Sequence, residues 1–120
     1  MQNNPGNNDA WPEELDALTA APQHHKLLFE NNFVRVIDAC IPAGEITNLH
    51  THKWPATLYF ISWSNFTRYD AAGNILLDSG NISAPPSNGT TLWSEPLTAH
   101  ALKNTGNEDL HVISVEIKTQ

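Results

Sequence analysis

The chain has 120 residues, 40% of them hydrophobic and 16% charged, which fits one globular domain and leaves little room for a second. Thirteen Asp and Glu against six Lys and Arg give a formal net charge of -7, which argues against nucleic acid and against an anionic membrane surface as partners. Cys40 is the only cysteine, so no intrachain disulfide can form. No apolar run is long enough to cross a bilayer, and the polar start does not read as a secretory leader, so a cytoplasmic location is the default expectation.

Residues 1–25 read as an N-terminal extension, and 26–120 as the folded domain. The first ten residues are polar and Asn-rich, with the composition of a disordered segment. One short helix is expected after them, with Asp9 as cap, Pro12 in the first turn, and Trp11, Leu15 and Leu18 near helical spacing. His24 and His25 are adjacent, so on a strand they would face opposite ways and not share an ion. They are read as linker residues.

From Lys26 onward short apolar runs alternate with turn signals, the mark of an all-β sandwich or barrel. Strands are expected from Phe33 to Ile37, extending toward Ile41, then from Thr57 to Trp63, Phe66 to Tyr69 and Ile75 to Asp78. Further strands are expected from Thr90 to Trp93, Ala99 to Lys103 and Leu110 to Ile117. Pro42 to Glu45 and Asp70 to Asn74 read as turns, and Pro85 to Gly89 as a loop. The region from Leu27 to Val36 and the last strand are the two candidate sheet edges.

His50-Thr51-His52 carries the chemistry. Residues i and i+2 of a strand project to one face, so both imidazoles can converge on one metal ion. Neutral imidazole suits Fe, Ni, Cu and Zn, and His100 is the candidate third donor from another strand. The plain alternative is two polar residues on a solvent-facing strand. Gly44 and His100, at their spacings, favour the ligand reading.

The stretch Gly44-Glu45-Ile46-Thr47-Asn48-Leu49-His50-Thr51-His52 resembles the first cupin motif: glycine, five residues, then His-x-His. His100-Ala101-Leu102-Lys103-Asn104 resembles the end of the second, a histidine followed by asparagine four positions on. The resemblance to a small single-domain, RmlC-like cupin covers roughly Lys26 to Lys118. It implies a double-stranded β-helix, or jelly-roll barrel, and His50, His52 and His100 as metal ligands. It departs from the family where a glutamate usually follows the first motif: Thr57 aligns there. The second motif has Pro96 but lacks its glycine. The resemblance therefore implies a three-histidine site without the customary carboxylate, as in some cupin-type dioxygenases.

Such a site takes a divalent transition metal, with Fe(II) favoured over Ni, Mn, Zn or Cu. It leaves open positions for water, dioxygen or a small-molecule ligand. Trp54, Thr57, Tyr59, Trp93 and Glu95 are the candidate pocket residues. Arg68 is a candidate anchor for an anionic substrate if it points inward. Cys40 reads as a small buried hydrophobe, and His111 as a rim residue. A non-haem dioxygenase acting on a small molecule is the leading function. A non-catalytic cupin module binding a metabolite or metal is the alternative, and an isomerase or epimerase using His100 with Glu95 comes third. The resemblance also implies a homodimer.

Overall fold

The computed structural model describes residues 11–119. Nine strands form two sheets: β1 (His25–Glu30), β2 (Val34–Ile41), β3 (His50–His52), β4 (Ala56–Ser62), β5 (Phe66–Tyr69), β6 (Ile75–Asp78), β7 (Thr91–Ser94), β8 (Leu97–Asn104) and β9 (Leu110–Ile117). One sheet has the order β1-β2-β9-β4-β7 and the other β3-β8-β5-β6. Every strand pairing is antiparallel. The two sheets face each other as the jelly-roll expected from the strand pattern. β9 lies between β2 and β4, so the last strand is not a sheet edge. The open edges of the five-stranded sheet are β1 and β7. No helix among the described residues is long and apolar enough to cross a membrane.

The N-terminal segment is a 3-10 turn, Glu13–Leu15, followed by a one-turn helix α1, Ala17–Ala20. Asp16 caps α1 through its side chain, which accepts from the Leu18 N–H at 3.2 Å. The expected cap, Asp9, lies outside the described residues. The segment lies over the outer face of β3: Asp16 bridges to Thr51, and the Thr51 hydroxyl reaches the Leu15 carbonyl. That cover explains why Thr51, on the face opposite His50, is also buried.

Inside the barrel the side chains change character along the strands. The inward face of β9 runs Leu110, Val112, Ser114, Glu116, and that of β2 runs Ile41, Ala39, Ile37, Arg35. Ile41, Phe60, Phe66, Leu110 and Val112 close one end as an apolar core, with Trp63 and Leu102 packed against it. The other end is polar. Ala39, Ala56 and Ser114 line the space between, and their small side chains leave a cavity of about 370 Å³ instead of a filled core.

Asn104 ties the apolar end together. Its amide donates to the carbonyls of Ile41 (2.7 Å) and Glu108 (2.8 Å), and its oxygen accepts from the Ser64 hydroxyl (2.7 Å) and the Gly106 N–H (3.0 Å). Gly106 permits this approach, because a Cβ there would collide with the Ser64 hydroxyl and crowd the Asn65 backbone nitrogen. Gly44, at φ 85°, supplies the left-handed turn that leads toward β3. All four polar positions of the buried Asn104 amide are thus used. Asn104→Leu strands two donors and two acceptors. It is expected to lower stability by about 3–4 kcal/mol in urea denaturation, with an unchanged slope.

Candidate metal centre

His50 and His52 stand on β3, and His50 is directly opposite His100 on β8. The ring centres of His50 and His52 are 4.8 Å apart, and that of His100 lies 4.4 Å from His50 and 5.5 Å from His52. The structure therefore brings together the three histidines singled out in the sequence.

It also adds a fourth. His25 is not a linker residue: it opens β1, is buried, and sits 4.6 Å from His50 and 5.5 Å from His52. Donor atoms of His25, His50 and His52 all lie within 4.8 Å of one another. His24, in the turn just before β1, points elsewhere, to Glu45 at 2.8 Å.

The unused nitrogens share a pattern. Nδ1 of His25 is 2.9 Å from the Ala21 carbonyl, Nδ1 of His50 is 2.7 Å from that of Asn48, and Nδ1 of His100 is 2.7 Å from that of Thr98. A carbonyl oxygen only accepts, so each Nδ1 carries the proton and each Nε2 keeps a free lone pair. Metal-binding histidines are oriented in this way by their outer hydrogen bonds. Burial, reinforced by the neighbouring His52, pushes His25 down to about 4 and His100 down to about 3, with His50 lowered as well. These rings are neutral at physiological pH, the form that ligates.

His52 has a different support. Its Nδ1 makes a long, 3.4 Å contact with Glu116, which is 1% exposed. Glu116 accepts from Arg35 Nε at 2.7 Å, and the other two guanidinium nitrogens form a fork on Asp16 at 3.0 and 2.8 Å. Burial would raise the Glu116 and Asp16 pKa values, but their hydrogen bonds and charges outweigh it, and both are lowered. Arg35 is raised, since Asp16 and Glu116 overcome its desolvation. Two carboxylates around one guanidinium leave one negative charge beside His52, which favours a cation at the cluster.

Three of the five candidate pocket residues line the cavity: Trp54, Trp93 and Glu95. Thr57 and Tyr59 do not. Ala56, Leu58 and Phe60 take the inward positions of β4, so the alternation turns Thr57 and Tyr59 outward. Glu95 is no partner for His100: it accepts from the Trp93 indole, while His100 is engaged with Thr98. His111 pairs with Asp38 at 2.8 Å at a half-exposed position. Cys40 is only partly buried, and burial and nearby acids raise its thiol, which agrees with an unreactive side chain.

The chain matches no family model and no curated protein. Solved structures do match. A cupin domain from Bordetella pertussis Tohama I aligns with a TM-score of 0.62 at 16% identity, covering 79% of this chain and 92% of that one. An RmlC-like cupin family protein with a double-stranded β-helix fold from Methanocaldococcus jannaschii aligns at 0.54 and 14% identity, covering 78% and 77%. An uncharacterized conserved protein with a double-stranded β-helix domain from Klebsiella pneumoniae aligns at 0.53 and 19%, covering 78% and 74%. The fold is that of a small single-domain cupin.

The depressed histidines make a pH prediction for the metal-free protein. Their folded pKa values lie below the ordinary 6.5, so the unfolded chain takes up protons first as pH falls. Their contribution is complete above pH 6.5 and is lost as pH drops toward 4 and then 3. Urea midpoints measured through this window should fall, and His25→Leu should reduce the slope by up to about 1.4 kcal/mol per pH unit.

Proposed function

We propose that this cupin-fold chain is a metal-dependent protein. Its buried histidines hold a divalent transition metal at the polar end of the barrel and present it to a small organic molecule in the cavity. The observation that carries the reading is the set of four imidazoles around His50 and His52, with Nε2 left free on the three whose Nδ1 is tied to a backbone carbonyl. Four imidazole nitrogens fit Fe(II), Ni(II), Cu(II) or Zn(II) better than Mg or Ca, which require oxygen ligands. The centre is His50 and His52 completed by His25 and His100, with Glu116 and Arg35 positioning His52. Fe(II) is the favoured ion, and bound there it would supply oxygen-dependent chemistry to the small molecule.

A second reading is a binding module without catalysis. Among the described residues the only carboxylates lining the cavity are Glu95 and Glu116, and both are engaged, with Trp93 and with Arg35. No free acid–base group then faces a ligand beside the imidazoles. Nitric oxide, as an oxygen surrogate, separates the two. An iron–nitrosyl signal in the Fe(II)-loaded protein supports the oxygenase reading, and its absence favours the module.

Elemental analysis after anaerobic loading is expected to give near-stoichiometric metal. His50→Ala and His52→Ala should each lower metal affinity by about 100-fold or more, and Glu116→Gln by about 10-fold. His24→Ala and His111→Ala should retain it. Failure of the parent to bind any of these ions overturns the proposal. The reading also includes a homodimer, supported by exposed Leu27 and Phe29 on the open edge strand β1 and by Phe33 beside it. Light scattering should give twice the 13.3 kDa chain mass, and a monomer would remove this element.

A further inference from the structure

The cavity has a charged group that the histidine centre does not use. Arg68 stands on β5 between two leucines, with Leu77 opposite it on β6 and Leu102 opposite it on β8. Residues paired across strands share a face, and all three line the cavity. The guanidinium also lies 5.6 Å from the Phe66 ring centre. Arg68 as a whole is half-buried, but its Nε is enclosed without a hydrogen-bond partner among the described residues, and no carboxylate among them pairs with it. The contrast with Arg35, which is fully engaged by Asp16 and Glu116, is complete.

Enclosing part of a cation among apolar side chains without a counter-charge is costly, and folded proteins pair such groups or give them another role. Burial lowers the Arg68 pKa, but a guanidinium remains charged under any ordinary condition. Leu102 is two residues from His100 on β8, which makes His100 the diagonal neighbour of Arg68 on the same face, about 7–8 Å away along the backbone. A molecule held by Arg68 therefore lies within a few ångströms of the histidine cluster. A planar oxyanion suits the guanidinium fork, and the leucines, Phe60 and Trp63 suit an apolar body.

We propose that Arg68 is the anchor for a small organic carboxylate, whose apolar body fills the cavity and which is held beside the histidine cluster. This rests on the reading of the cavity as a small-molecule site, but it does not require the metal. The carboxylate supplies the charge that the fold withholds from Arg68. The specificity is for a monoanion with a hydrocarbon body, because a dianion or a polyol would leave charges or hydroxyls unsatisfied against the leucines.

Calorimetric titration of the metal-free protein at neutral pH tests this, with hexanoate and phenylacetate as probes and hexanamide and phenylacetamide as neutral matches. The acids are expected to bind about tenfold more tightly than their amides, the factor that a charge-assisted hydrogen bond contributes. Arg68→Met should abolish the difference, and Arg68→Lys should keep part of it. Metal content should be unchanged in both variants. Equal binding of acids and amides by the parent overturns the role of Arg68 and leaves the cavity as a ligand site. Binding of neither overturns both, and an undiminished preference in Arg68→Met places the anion elsewhere. The acid–amide comparison in the parent decides the matter even if a variant fails to fold.

Discussion

The Arg35 guanidinium is the constraint on which the polar end of this barrel depends. Its fork holds Asp16 of the N-terminal segment, and its Nε holds Glu116 of β9. Removing Arg35 would leave both carboxylates without a counter-charge, Glu116 among them in the interior, a cost of about 3–5 kcal/mol. The contacts join three distant parts of the chain: the segment before the barrel, the second strand and the last strand. Through Glu116 the same network reaches His52. Trp54 adds to it by lying 5.2 Å from Arg35, so the aromatic wall of the cavity also leans on this cation.

The barrel is therefore organised as a gradient. Apolar side chains close one end and a hydrogen-bonded ionic network closes the other, with small residues between. The cavity follows from that arrangement, because Ala39, Ala56 and Ser114 cannot fill the width that Ile41 and Phe60 fill. The histidines sit where the gradient turns polar; His25, His50 and His100 are buried deeply enough to be neutral and are oriented by carbonyls that leave Nε2 free.

Much of the fold was legible in the sequence. β9 runs from Leu110 to Ile117 as its apolar alternation suggests, and β5 and β6 also have the expected limits. The second motif's Asn104 was visible as a family feature, but its structural task was not. The less legible parts share a cause. In Val115-Glu116-Ile117 and Val34-Arg35-Val36 the charged residue is flanked by apolar ones, so hydrophobic alternation assigns it to solvent. The structure turns it inward, because Arg35 and Glu116 are directly opposite and satisfy each other. Periodicity reads one strand at a time and cannot see a cross-strand partner. His25 was missed for a similar reason: its neighbours suggest a linker, and only the pairing of β1 with β2 brings it opposite Ala39, beside the other rings. Thr57 aligns with the family's glutamate and Tyr59 reads as one of the pocket aromatics, whereas the parity of β4 faces both away.

Three of the four imidazoles are aimed by main-chain oxygens, those of Ala21, Asn48 and Thr98. A carbonyl is present whatever side chain the residue bears. Drift at those three positions therefore leaves the acceptors in place as long as the path of the backbone is kept. The fourth ring is different, since its support is a side-chain carboxylate that a single codon change can delete. Heritable variation in this protein would thus act unevenly on its donor set. It would spare the geometry of His25, His50 and His100 and concentrate its effect on His52, through Glu116, Arg35 and Asp16.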